Sequence, residues 1–197
     1  MGPWTALRKA LLPFPGCRAM PRHAGFTLLE LIVVVLVLGV ALAVVAPSFA
    51  ALVERSRAQT VFHGLTASLA GARLAAVQLG RPVTLCPTLD GLRCRRDLVW
   101  DEGWMTYIDT DRSDHPASAD AVIRREGPSH ARIAIRSSSG RHRIRFQPTG
   151  WASGANISLR VCSRQARKLL GVVVVNNAGR PRSERHDRPD NSCPYAP

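Results

Sequence analysis

Gly25-Phe26-Thr27-Leu28-Leu29-Glu30 leads into an apolar run that continues to Ala46. From Phe26 to Ala46 there are 21 residues, and Glu30 is the only charge among them. A helix of about 20 apolar residues crosses the hydrocarbon core of a bilayer. A carboxylate inside such a span costs about 3 kcal/mol or more unless it is paired. A secretory signal peptide would keep charge out of its apolar region and close on a small-residue cleavage site. Ala46, Ala50 and Ala51 supply small residues, but Glu30 lies within the run itself. Two opposite charges satisfied together in a dry bundle are tolerated and fix axial register. The stretch therefore predicts a membrane helix whose carboxylate takes a cationic partner.

The pattern Gly25-Phe26-Thr27-Leu28-x-Glu30, followed by an unbroken apolar helix, resembles the N-terminus of type IV prepilins. The resemblance implies cleavage between Gly25 and Phe26 by an inner-membrane prepilin peptidase, which also methylates the new N-terminal Phe26. It implies that Glu30, fifth in the cut chain, pairs with the N-terminal amine of a neighbouring subunit. Gly39 and Pro47 fall where many pilins carry a Gly and a Pro, and both weaken or kink a helix. Local unwinding there on filament assembly is part of what the resemblance implies. Residues 1–25 become a leader, long for a prepilin. Met20-Pro21-Arg22-His23-Ala24-Gly25 would be a short basic leader by itself, so Met20 is a candidate true start. Arg22, just before the apolar run, favours the cytoplasmic side. The expected organisation is leader 1–25, transmembrane or filament-core helix 26–51, and periplasmic globular domain 52–197 with an amphipathic helix over 52–79.

The 197 residues carry a formal charge of +13. Residues 121–197 hold 15 basic and 4 acidic side chains, whereas 55–120 hold 8 of each. The excess is local, and a basic patch attracts nucleic acid or anionic headgroups. Only Lys9 and Lys168 among the 27 basic residues are lysines, so a general bias towards Arg accounts for part of the count. Cys17 lies in the leader, leaving Cys86, Cys94, Cys162 and Cys193. An exported domain can make two disulfides of four cysteines, with three possible pairings. Cys86–Cys94, closing a short loop, and Cys162–Cys193, stapling the tail, are favoured. No cysteine or histidine spacing suits zinc.

Beyond Pro47, apolar residues at 58, 61, 62, 65, 69, 72, 76 and 79 keep helical spacing and predict one buried face. Gly80 with Arg81-Pro82 is a stop signal. A helix over 26–79 would be about 80 Å long. Strand signals follow at Val83–Cys86, Trp100–Asp109, Ala121–Arg124, Ala131–Ile135, Arg141–Phe146, Asn156–Cys162 and Leu169–Val175. Asp109, Asp111 and Asp114 form an acidic stretch. It lacks the glycine and terminal Glu of an EF-hand loop, so a solvated loop is expected rather than a calcium site.

These pieces, in this order, resemble the GspH/FimT family of minor pilins and pseudopilins. Beyond the N-terminal motif, the resemblance is carried by Leu85-Cys86-Pro87, Gly103-Trp104 with Asp109, Phe146-Gln147-Pro148-Thr149-Gly150, and Val173-Val174-Val175-Asn176 before Gly179-Arg180. It implies an α+β fold: a long N-terminal transmembrane α-helix packed on a C-terminal antiparallel β-sandwich. The implied life history is a single pass through the bacterial inner membrane with the globular domain in the periplasm. Incorporation with other pilin or pseudopilin subunits into a cell-surface pilus or periplasmic pseudopilus follows.

No nucleophile elbow, P-loop or metal-binding His pair is present, so no catalytic residue, metal or cofactor is expected. His63, His115, His130, His142 and His186 are scattered and read as surface residues. Gly179-Arg180-Pro181-Arg182 resembles the DNA-contacting motif of the FimT branch, whose members aid DNA uptake during natural transformation. The candidate DNA-binding loop comprises Gly179, Arg180, Arg182, Arg185 and Arg188. In an extended segment Arg180 and Arg182 project to one side about 6–7 Å apart, suiting phosphate oxygens. Arg141, Arg143 and Arg145 alternate along a strand and are candidates to extend the basic surface. Trp151 and Tyr195 have the chemistry to stack on unpaired bases, with packing roles preferred. The alternative is a purely structural pseudopilin of type II secretion, resembling GspH, at the tip of the pseudopilus.

Overall fold

The computed structural model describes residues 25–152, 154, 156–189 and 193, with side chains omitted for Pro47 and 187–189. The candidate start Met20, Arg22, Cys17 and Tyr195 lie outside the described residues. Two compact units divide between Val45 and Ala46.

Helix α1 runs from Leu28 to Leu79, 52 residues. Thr27 caps it. Its hydroxyl accepts the Glu30 amide at 3.2 Å, and its carbonyl accepts the Leu31 amide at 3.2 Å. Gly80, at φ +62°, takes the left-handed conformation that ends a helix and that other residues adopt only at a cost. Within the first unit the large apolar side chains are exposed all round, Phe26 at 83%. A helix apolar on every side belongs in lipid or in a helical bundle. From Ala58 the pattern becomes one-sided: Ala58, Val61, Phe62, Leu65, Leu69, Ala72 and Ala76 are buried. Leu79, expected on that face, is 48% exposed, because the core ends one turn before the helix does.

Eight strands follow: β1 Val83–Pro87, β2 Trp104–Ile108, β3 Val122–Glu126, β4 Ile133–Ser137, β5 Ile144–Phe146, β6 Ile157–Ser163, β7 Lys168–Val175 and β8 Pro181–Pro189. They form two four-stranded sheets, ordered β3-β2-β1-β5 and β4-β6-β7-β8, with every pairing antiparallel. Alternation explains the layering. In β6, Ile157, Leu159 and Val161 turn inward while Ser158 and Arg160 do not. Both sheets and the second half of α1 contribute to one core, including Leu85, Trp100, Trp104, Ile135, Phe146 and Val173. Trp104 donates its indole N–H to Ser68 Oγ at 2.9 Å, joining β2 to the helix.

Three elements differ from the sequence reading. The strand expected over 100–109 begins only at Trp104, because Gly103 at φ +120° turns the chain beside the Glu126 carbonyl, where no Cβ fits. The strand expected over 141–146 is confined to Ile144–Phe146. The segment after Gly179, read as a loop, is strand β8. It pairs along β7 from Val175↔Pro181 to Lys168↔Pro189 and forms the sheet's edge.

The connection between β1 and β2 is tied to the other sheet at Asp101. Its carboxylate accepts the Ile135 amide at 2.7 Å and pairs with Arg136 and Arg164. The Trp100 amide donates to the Ile135 carbonyl at 3.1 Å. Asp101 and Arg136 are each only 7% exposed in their side chains, so removing the carboxylate leaves guanidinium charge in a dry place. Asp101→Ala is expected to lower the unfolding free energy by about 3–5 kcal/mol, measured by urea denaturation. A loss under about 1 kcal/mol would mean that the cluster behaves as a solvated surface pair.

Candidate assembly helix and nucleic-acid interface

Gly25 and Phe26 precede the first helical turn and are exposed, and Glu30 occupies the third helical position, also exposed. Thr27-Leu28-Leu29-Glu30 has the spacing of a capping box, in which hydroxyl and carboxylate can close the first turn reciprocally. A carboxylate is favoured at a helix N-terminus, where unpaired amides carry partial positive charge. The start of α1 thus has a fold-derived reason for Glu30 besides any partner.

The second candidate site begins at the turn between β7 and β8. The Gly179 amide donates to the Asn176 carbonyl at 2.9 Å, and the Arg180 amide to Asn176 Oδ1 at 3.3 Å. Gly179 is buried with φ +70°, and a Cβ there would overlap the Gly150 carbonyl oxygen. That same oxygen accepts Arg73 Nε at 3.0 Å. Gly179 therefore seats the turn against the β5–β6 connection and does not display itself to a ligand.

Arg180 and Arg182 are exposed. Arg182 lies opposite Val174, next to Glu184 opposite Val172, on the sheet face away from the core. Arg182 Nε is 3.3 Å from a Glu184 carboxylate oxygen. Arg185 lies opposite Gly171, where a Cβ would meet the Phe62 ring, so it points to the helix side. With His186 it lines a groove of about 630 Å³ beside Phe62, Ala58 and Leu170. Arg182 and Arg185, grouped by sequence, are on opposite faces of the sheet. Arg188 is in β8, and its side chain lies outside the described residues.

Of the acidic stretch expected to be solvated, Asp111 is exposed but Asp109 and Asp114 are taken up in pairs. Asp109 is fully buried, accepting Thr84 Oγ1 at 2.5 Å and Arg145 Nε at 2.6 Å, while Asp114 pairs with Arg143 and Arg96. Arg145, opposite Thr84 of β1, is neutralised by Asp109, and Arg143 by Asp114, both aspartates lying just beyond β2. These two arginines therefore leave the basic surface they were expected to extend, and only Arg141 of the three is exposed. Burial, reinforced by Asp109, pushes the neighbouring Tyr107 phenol far above its ordinary pKa. Burial and the nearby Arg96 hold His142 below its ordinary value. Among the described residues no His/Cys/Asp/Glu group suits a metal ion.

Two residues gain importance only in the structure. Arg160 stands opposite Val172 on the outer face of its sheet, so two strand spacings, about 10 Å, separate it from the β8 backbone. The alternation around it was the available signal. Trp151, for which a packing role was preferred, is 57% exposed. Cys86–Cys94 and Cys162–Cys193 are disulfide-bonded, with Cα–Cα distances of 5.6 and 6.0 Å. Cys193, Cys162, Ala134 and Leu169 form a small apolar cluster on the outer face, edged by Val172.

An apolar, caps-first helix on two antiparallel sheets defines the chain as a pilin-like filament subunit. The family model described as type II transport protein GspH matches residues 63–179, and the prokaryotic N-terminal methylation motif matches 20–46. The chain belongs to the GspH family, whose members are structural pilin and pseudopilin subunits. Two crystal structures of the type IV minor pilin FimU from Pseudomonas aeruginosa share its fold at TM-score 0.54 and 19% identity. One match covers 68% of this chain and 98% of FimU, the other 71% and 97%. No curated protein matches in sequence. The methylation motif and the apolar helix are those of a subunit anchored in the membrane before assembly and processed by prepilin peptidase. The GspH match ends at Gly179, so β8 lies beyond it.

Gly179→Ala is expected to destabilise the protein by about 1–3 kcal/mol, because it forces a Cβ into a left-handed, close-packed position. Thermal unfolding checks this. An unchanged midpoint would mean that the turn has room the structure does not show.

Proposed function

We propose that the chain is a minor type IV pilin of the FimT kind that binds DNA in support of uptake during natural transformation. In this reading the peptidase cuts between Gly25 and Phe26 and methylates Phe26, and Glu30 then pairs with the amine of a neighbouring subunit. The globular domain faces the periplasm before assembly and the pilus surface after it.

The observation that carries the DNA reading is how positive charge is compensated. In the sheet of β1, β2, β3 and β5, Arg143, Arg145 and Arg124 are ion-paired to carboxylates. Around the other sheet Arg136 and Arg164 share Asp101, but Arg160, Arg180 and Arg141 form no ion pair among the described residues. Uncompensated guanidiniums, together with Arg182, suit phosphate oxygens of any sequence. A structural pseudopilin of type II secretion is the second reading, favoured by β8 itself. Charged residues and terminal prolines along an edge strand prevent unwanted sheet extension, and Arg182 already holds Glu184.

Two experiments separate these statements. With the mature chain in detergent micelles, duplex DNA is expected to bind with an affinity that falls steeply with salt. Arg180→Ala/Arg182→Ala is expected to weaken it at least tenfold. Absent binding, or binding indifferent to the double substitution, returns the protein to the pseudopilin reading. For the helix, Glu30→Leu is expected to leave cleavage intact and to deplete the subunit from sheared filaments. Normal recovery of the variant in filaments would rule out the charge pairing.

A further inference from the structure

Trp151 is the observation that the proposed function leaves unused. Trp100 and Trp104 are buried in the core, but Trp151 exposes 57% of its surface. A single exposed apolar residue needs no special explanation. The position of this one does distinguish it. Its carbonyl accepts the Gln147 amide at 2.7 Å, and the Gly150 amide donates to the Gln147 carbonyl at 2.8 Å. The next amide, Ala152, donates to the Asn177 carbonyl at 2.9 Å, in the turn that delivers Arg180. The residue before it, Gly150, meets Gly179 backbone to backbone. Trp151 is thus held on both sides against the β7–β8 turn, and its ring is left in solvent beside it. Arg141 reaches the same β5–β6 connection: a Cβ at Gly154 would lie 3.9 Å from its Nη1.

We propose that Trp151 is a stacking platform for an unpaired base, flanked by Arg180 and Arg141, and that this surface takes single-stranded DNA in preference to duplex. An indole can stack only on a free base face, and in a duplex those faces are covered by their neighbours. Aromatic stacking combined with guanidinium contacts to the backbone is how sequence-tolerant single-strand binders work. An aromatic side chain has few rotatable bonds and loses little freedom on binding, which favours this pairing of roles. The inference rests on the DNA reading above and adds the form of DNA that is bound.

The test measures fluorescence anisotropy of labelled oligo(dT) and of a duplex of equal length, using the mature chain in detergent micelles. The wild type is expected to bind oligo(dT) more tightly than duplex. Trp151→Ala is expected to cut the ratio of oligo(dT) to duplex affinity by about fivefold to a hundredfold, the range for loss of one stacked base. Trp151→Phe, which keeps an aromatic face, is expected to retain most of the ratio and controls for disturbance of the loop. If Trp151→Ala leaves the ratio unchanged while Arg180→Ala/Arg182→Ala still abolishes binding, stacking is overturned and the DNA reading stands. If the wild type binds neither probe, both fall.

Discussion

A single helix has to satisfy two solvents. Over its first two dozen residues α1 is apolar on every side; from Ala58 only one stripe is buried, against both sheets. The first condition requires lipid or a bundle of like helices, because large apolar side chains on every side of that stretch are exposed among the described residues. The second condition organises the globular unit. Leu65 and Leu69 are wholly buried in a core to which each sheet contributes, and the sheets are arranged around that stripe. The polar anchors serve the same arrangement: Trp104 reaches Ser68 on the helix, and Asp101 secures one sheet's connection to the other sheet's edge.

Charge in this protein has two distinct uses. Inside and just under the surface, arginines are matched to aspartates at Asp101, Asp109 and Asp114, and act as cross-links between elements. Outside, Arg160 of β6, Arg180 of the β7–β8 turn and Arg141 of the β4–β5 connection have no carboxylate partner among the described residues. The net excess of positive charge therefore says less about binding than its distribution does. A basic composition spread over internal pairs would leave no surface field, whereas exposed guanidiniums without carboxylate partners attract polyanions.

Much of this was legible in the chain. The apolar run with one carboxylate specified the anchoring helix, its later 3.6-residue period marked the buried stripe, and alternating runs such as Ile157–Val161 marked strands. What escaped did so for identifiable reasons. Strand β8 carries Arg182, Glu184, Arg185, His186 and Arg188 with no apolar alternation, because an edge strand needs only backbone partners on one side. The pairing of Arg143 and Arg145 with Asp114 and Asp109 spans about thirty residues and more, beyond the reach of local pattern. The opposite orientations of Arg182 and Arg185 follow from ordinary strand alternation, because the two are an odd number of residues apart in a segment read as a loop. Trp151 looked like core because tryptophans usually are; its exposure is set by the tight turn around Gly150.

The meeting of Gly150 with Gly179 also bears on how such a surface can diversify. Backbone meets backbone there, with Arg73 holding the Gly150 carbonyl from the helix side, so the two turns are locked in register from beneath. The neighbours, Trp151 on one turn and Arg180 on the other, are then interchangeable fittings on a fixed mount. Their identities can be rewritten, aromatic for aliphatic or basic for acidic, without redesigning the core beneath. A filament built from such subunits can acquire or lose a ligand by changing a few displayed side chains, while its assembly machinery stays the same.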